Sequence, residues 1–211
     1  MYKRQNYTNA IFIGEPTAEN INFYGDNRRE VLPNSKVPLF LSFAWWQDKP
    51  QWENGPWLAP HVAIDMSFDQ YVNNEDPVLE AALSFDGASF ISNPMAHFTQ
   101  LFEKGDIATL KSDAARMVKD PTYAFFDFEA NFNKAGYNLL GSNQVKEAVF
   151  VFGLITELFP NSANAWDSLA EGYLKAGDKE KAKAYYEKAI SLDKNGTVTE
   201  NAKKMLKSMG F

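Results

Sequence analysis

The spacing of apolar positions changes near residue 86. Before it, apolar residues come in short runs or alternate; after it, they recur every three or four positions. Ala10-Ile11-Phe12-Ile13 is a continuous apolar run, the pattern of a central strand covered on both faces. Gly14-Glu15-Pro16-Thr17 reads as a turn, and a polar loop continues to Arg29. Glu30-Val31-Leu32 leads into Pro33-Asn34-Ser35-Lys36, which has hairpin-turn chemistry. In the return strand Leu39, Leu41, Phe43 and Trp45 share one face, and Phe40, Ser42, Ala44 and Trp46 the other. Pro38 suits its first position. A loop rich in Trp and Pro follows over 47–60, and Val62, Ile64 and Met66 then alternate as a short strand. Asp76-Pro77 starts a helix as cap and first residue, with Val78, Leu79, Ala82 and Leu83 as its buried stripe.

Asp86-Gly87-Ala88-Ser89 reads as a linker, and the pattern is helical from Met95 onward. Ile107, Leu110, Ala114, Met117 and Val118 fall on one helix face that ends at Asp120-Pro121. From Ala130 to Gly196 one pattern is written twice, 34 residues apart. Phe132, Gly136, Leu139, Ala148 and Phe152 stand where Trp166, Ala170, Tyr173, Ala182 and Tyr186 recur. Small residues at Gly136, Ala148, Ala170 and Ala182 let two antiparallel helices approach, and large ones fill the gaps. This spacing resembles the tetratricopeptide helix-turn-helix. Pro160 breaks the first unit from the second. A last helix, Val198 to Met209, carries Lys203, Lys204 and Lys207 as a polar cap. The expected fold class is α+β: a small mixed β-sheet unit over 1–88, packing helices over 89–128, and two repeats with a capping helix over 129–211.

Composition removes several function classes. The net charge of -6 argues against nucleic acid as a partner. With no cysteine, disulfides and thiolate metal sites are excluded. His61 and His97 are the only histidines, and no cluster has metal-ligand spacing, so neither metal nor cofactor is expected. They read as surface or core residues. No apolar run has the length of a membrane span. No apolar segment of the signal-peptide kind follows the polar start Met1–Asn6.

Five segments occur in an ordered series: Ile13-Gly14-Glu15-Pro16-Thr17, Tyr24-Gly25-Asp26, Leu32-Pro33-Asn34-Ser35, Trp57-Leu58-Ala59-Pro60, and Asp76 through Leu83. Together they resemble the C-terminal end of the catalytic domain of carboxyl-terminal-processing (tail-specific, tricorn-core-like) serine peptidases, over about residues 9–85. Gly136-Tyr137-Asn138-Leu139-Leu140 and Pro160 through Ala165 resemble the helical tails of exported bacterial hydrolases. The resemblance implies a parent that hydrolyses peptide bonds outside the cytoplasm. It also implies that the nucleophilic serine, the oxyanion hole and the substrate-guiding domain lie upstream of the Gly-Glu-x-Thr turn. The first strand is then expected to take neighbours from such a segment. Where dyad members place a lysine this chain has Asn20, and Glu53 is the nearest candidate for the late glutamate of tetrad members, with a spacing to Pro60 that departs from theirs. His61 stands where the family has Asp.

Two functions follow. In one, the chain is the C-terminal portion of such a peptidase, inactive alone because no serine here has a base and an oxyanion hole beside it. In the other, it is a non-enzymatic module that binds a peptide or protein through its repeats. The concave face would then carry Asn133, Tyr137, Asp167 and Glu171. That face lacks the basic residues that clamp a terminal carboxylate. Trp45, Trp46, Trp52 and Trp57 are expected to cover the open end of the sheet.

Overall fold

A computed structural model describes residues 8–51, 54–87, 90–194 and 196–211. The chain divides into two compact units. The first comprises Met1–Ser92 with Pro121–Phe125, and the second Asn93–Asp120 with Phe126–Phe211.

Among the described residues the first unit holds four strands and two α-helices, β1 (Ile13–Gly14), β2 (Phe23–Val31), β3 (Pro38–Trp46), β4 (Val62–Ala63), α1 (Phe68–Val72) and α2 (Pro77–Ser84), with a short 3-10 helix at Pro121–Tyr123. They form two separate two-stranded sheets, not the single mixed sheet expected. β1 pairs in parallel with β4, and β2 pairs antiparallel with β3. Among the described residues the apolar run therefore makes a short strand with one neighbour, and Val78 of α2 packs on Gly14. His61 binds the same strand pair: its Nδ1 accepts from the Phe12 amide at 3.0 Å, which fixes the neutral tautomer, and burial lowers its pKa.

β2 begins at Phe23, within the stretch expected to be a polar loop. Pairing with β3 supplies the reason, since Asn27, Arg28 and Arg29 face Ser42, Leu41 and Phe40 across the ladder. The hairpin turn closes through the Leu32 and Val37 backbones, with Lys36 at φ 59°. Both faces of the hairpin are largely open to solvent. The Trp45 ring contacts that of Tyr24 at a tilt of 59°, with centroids 4.6 Å apart, and the Trp46 ring lies on Gly25. Trp57 is exposed, and Trp52 lies outside the described residues.

At the hairpin base Asn22 is fully buried and satisfied. Its amide donates to the Lys49 carbonyl at 2.8 Å, and its carbonyl accepts from the Lys49 amide at 2.9 Å. Its own backbone N–H donates to Asn54 Oδ1.

The second unit is helical: α3 (Pro94–Glu103), α4 (Ile107–Met117), α5 (Phe128–Gly141), α6 (Val145–Leu158), α7 (Ala163–Lys175), α8 (Lys179–Leu192) and α9 (Thr197–Met209). Side chains cap most of their N-termini: Asn93, Asp106, Asp127, Ser162 and Asp178 each accept from the backbone N–H three residues on. The repeats are α5–α6 and α7–α8. Each turn needs one left-handed residue at the same place, Asn143 in the first and Gly177 in the second.

Phe152 is fully buried between the repeats. A Cβ built on Gly136 would come within 2.4 Å of its ring, and one on Gly172 within 3.0 Å. Hydrogen at these two positions is what lets α5 and α7 close over α6. Tyr186 fills the equivalent place in the second repeat, packed with Ala170, Ala182 and Ala202. Phe98 of α3 meets Phe132 at 5.1 Å between centroids, which extends the aromatic core to the first helix of the unit.

Candidate partner-binding face

Asn133, Asp167 and Asn201 recur every 34 residues on α5, α7 and α9. They occupy one position in three successive first helices and so form a row across the stack. One helical turn further along, Tyr137 and Glu171 form a second row. The Tyr137 hydroxyl donates to Glu171 Oε2 at 2.9 Å and lies 3.3 Å from the buried Ser168 hydroxyl. Asn201 Nδ2 donates to Asp167 Oδ2 at 2.9 Å.

Three atoms in and beneath these rows are buried without a hydrogen-bond partner: Asn133 Oδ1, Asp167 Oδ1 and the Tyr186 hydroxyl. Folded proteins satisfy most buried polar groups, so three together set this face apart. Asp167 is 8 % exposed, while Glu171 is half-buried and Tyr137 37 % exposed at the rim.

The electrostatics follow from the burial. Desolvation pushes the Asp167 pKa up to about 6; the Asn201 bond draws it back, and the Glu171 charge adds to the rise. Tyr137 is pushed up to about 12, first by burial and then by Glu171, against the lowering effect of Ser168. Tyr186 is raised as well, by burial and by the charges of Asp167, Glu171 and Tyr137. No described lysine or arginine is paired with Asp167 or Glu171; ion pairs of this unit among the described residues include Lys111–Glu157, Lys181–Asp178, and Asp113 with His97 and Arg116.

The other candidates fall elsewhere. Glu53 lies outside the described residues. Asn20 lines a cleft of about 230 Å³ with Thr17, Glu19 and Asp48 in the first unit. His97 pairs with Asp113 at 2.7 Å on the helical side, and this bond is the main cause of the lowered Asp113 pKa. Among the described residues no group of three His, Asp or Glu could hold a metal ion, and no helix is long and apolar enough to cross a membrane. Sequence reasoning did not single out Tyr186, which looked like a core filler, or Asn201 of the capping helix. The 34-residue interval from Asp167 was the signal for Asn201. Nothing marked the Tyr186 hydroxyl as unpaired.

Residues 163–195 match the tetratricopeptide repeat family. The match spans α7, the turn at Gly177 and α8, and it points to a protein-interaction module in this part of the chain. It carries no indication of a peptidase. A search of curated proteins gives no match.

Proposed function

We propose that the helical unit is a protein-interaction module, and that the face bearing Asn133, Tyr137, Asp167 and Glu171 receives a peptide segment of its partner. The observation that carries this reading is the tetratricopeptide repeat match over 163–195, with Tyr137 and Glu171 partly exposed and hydrogen-bonded to each other on one face of that stack. The test is selection from a random peptide library on the whole chain and on a Tyr137→Ala/Glu171→Ala variant with unchanged helical circular dichroism. The wild type should enrich a sequence motif that the variant loses. No enrichment, or the same enrichment by both, removes this reading.

A second reading concerns the first unit, as the C-terminal scaffold of an exported tail-specific-type serine peptidase. Its support is that the resembling segments assemble locally. Thr17 exchanges two hydrogen bonds with Leu58, β1 pairs with β4, and Val78 of α2 packs on Gly14. On this reading the nucleophile comes from a segment preceding β1, and residues 8–211 alone are inactive. A serine-directed fluorophosphonate should therefore label no serine of the chain, and clean labelling of one serine contradicts the reading.

A further inference from the structure

We propose that the helical unit carries a binding pocket for a small neutral aromatic molecule, between α3 and the α5–α6 pair. The cavity there measures about 290 Å³. Its buried lining residues are all apolar: Phe98, Leu110, Phe132, Val151 and Leu154. Phe102 of α3 and Phe150 of α6 form a wall, with ring centroids 5.7 Å apart. Its exposed lining residues are all polar: Thr99, Asn138, Ser142 and Gln144. The pocket thus has an apolar interior and a polar mouth that solvent reaches. Protein interiors pack as densely as organic crystals, so an apolar space of this size sets the place apart.

Ala135 of α5 keeps the space open. One repeat later the same position is Leu169, which is 4 % exposed. Leucine fills the helix interface there, and alanine leaves it short in the first repeat. Ala135 and Asn138 lie on the other side of α5 from Asn133 and Tyr137, so the pocket is separate from the proposed peptide face. Size and chemistry then select the ligand. An apolar cavity of about 150 Å³ takes one benzene ring, so this one takes about two fused rings. None of the described residues that line it is charged, and an unpaired ion would be costly to bury there. Contact with the phenylalanine rings favours an aromatic body. The amides of Asn138 and Gln144 can each donate and accept, which suits one hydroxyl or amide on the ligand at the mouth. Gln144 opens α6 without using its side chain as a cap.

The probe is 2-naphthol, compared with 2-naphthoate, an anion of similar shape. Binding to the whole chain is measured by calorimetry and located by methyl NMR shifts, then repeated on Ala135→Leu. 2-Naphthol should bind one to one with a Kd below about 1 mM. It should move the methyl signals of Leu110, Leu139, Val151 and Leu154, which line the pocket. 2-Naphthoate should bind about tenfold more weakly or worse. Ala135→Leu should weaken 2-naphthol binding by about tenfold or more and melt no lower than the wild type, because it fills a space instead of opening one. Absence of saturable 2-naphthol binding overturns the proposal. Equal binding of the anion, equal binding by Ala135→Leu, or shifts confined to other methyls do the same. An Ala135→Leu chain that loses its helical circular dichroism shows that the space is already filled, and overturns it as well.

Discussion

Asn201 Nδ2 donates to Asp167 Oδ2 at 2.9 Å, joining equivalent positions of α9 and α7 across one repeat. The bond ties the last helix to the stack through a buried carboxylate whose other oxygen is unpaired. Asn201→Ala removes that carboxylate's hydrogen-bond donor. The expected cost is about 1–2 kcal/mol at neutral pH, read by urea unfolding of the helical unit. An unchanged midpoint would mean that the bond contributes nothing in solution.

The pH dependence of Asp167 has a definite sign. In the folded chain its carboxyl holds a proton up to about pH 6, against an ordinary value of 3.8. The folded state therefore binds more protons between these values, and stability falls as pH rises through them. Asp167→Asn removes the cost of ionisation. It should stabilise the chain near pH 8 by about 1–2 kcal/mol, allowing for solvent screening, and by almost nothing near pH 3. Melting curves of both proteins across this range check it. A variant stabilised near pH 8 and weakened in peptide binding would show a residue kept for function at a cost to the fold.

Gly136 and Phe152 define the tightest approach in the repeats, at 2.4 Å from a built Cβ to the ring. Gly136→Ala removes a helix-weakening glycine but drives a methyl into a fully buried ring. Overpacking should win, with a net loss of about 1–3 kcal/mol. Phe152→Leu in the same chain should recover part of that loss, so the double variant is less destabilised than the sum of the two. Additive losses would place the strain elsewhere.

In the first unit Asn22 closes the hairpin base through both atoms of its side-chain amide. Asn22→Ala leaves the Lys49 N–H and C=O without these partners. A loss of about 1–3 kcal/mol is expected from the two part-buried hydrogen bonds removed. Amide hydrogen exchange along Phe23–Val31 and Pro38–Trp46 should speed up, while exchange in α5–α9 stays as it is.

The repeat was legible because its determinants are local. Small residues at fixed spacing, and a chain break at Pro160, can be read from neighbours in the sequence. So can the Asp76-Pro77 helix start, where cap and first residue are adjacent. The short helix Phe68–Val72 was not read, although Ser67 and Gln70 form a capping box, because five residues give no apolar period to detect. The first half of β2 was also hidden. Its polar residues follow no alternation, and backbone pairing with β3 alone makes them a strand.

The sequence by itself determined the helical repeat and placed Asn133, Tyr137, Asp167 and Glu171 on one face, since helical geometry follows from residue spacing. Only the tertiary structure decided which of their atoms are paired. Asp167 keeps one oxygen bonded and one buried without a partner because α9 brings Asn201 to one side of it, while Tyr186 lies on α8 with its hydroxyl unmatched. Burial and hydrogen bonding depend on residues far apart in the chain, and no local pattern encodes them.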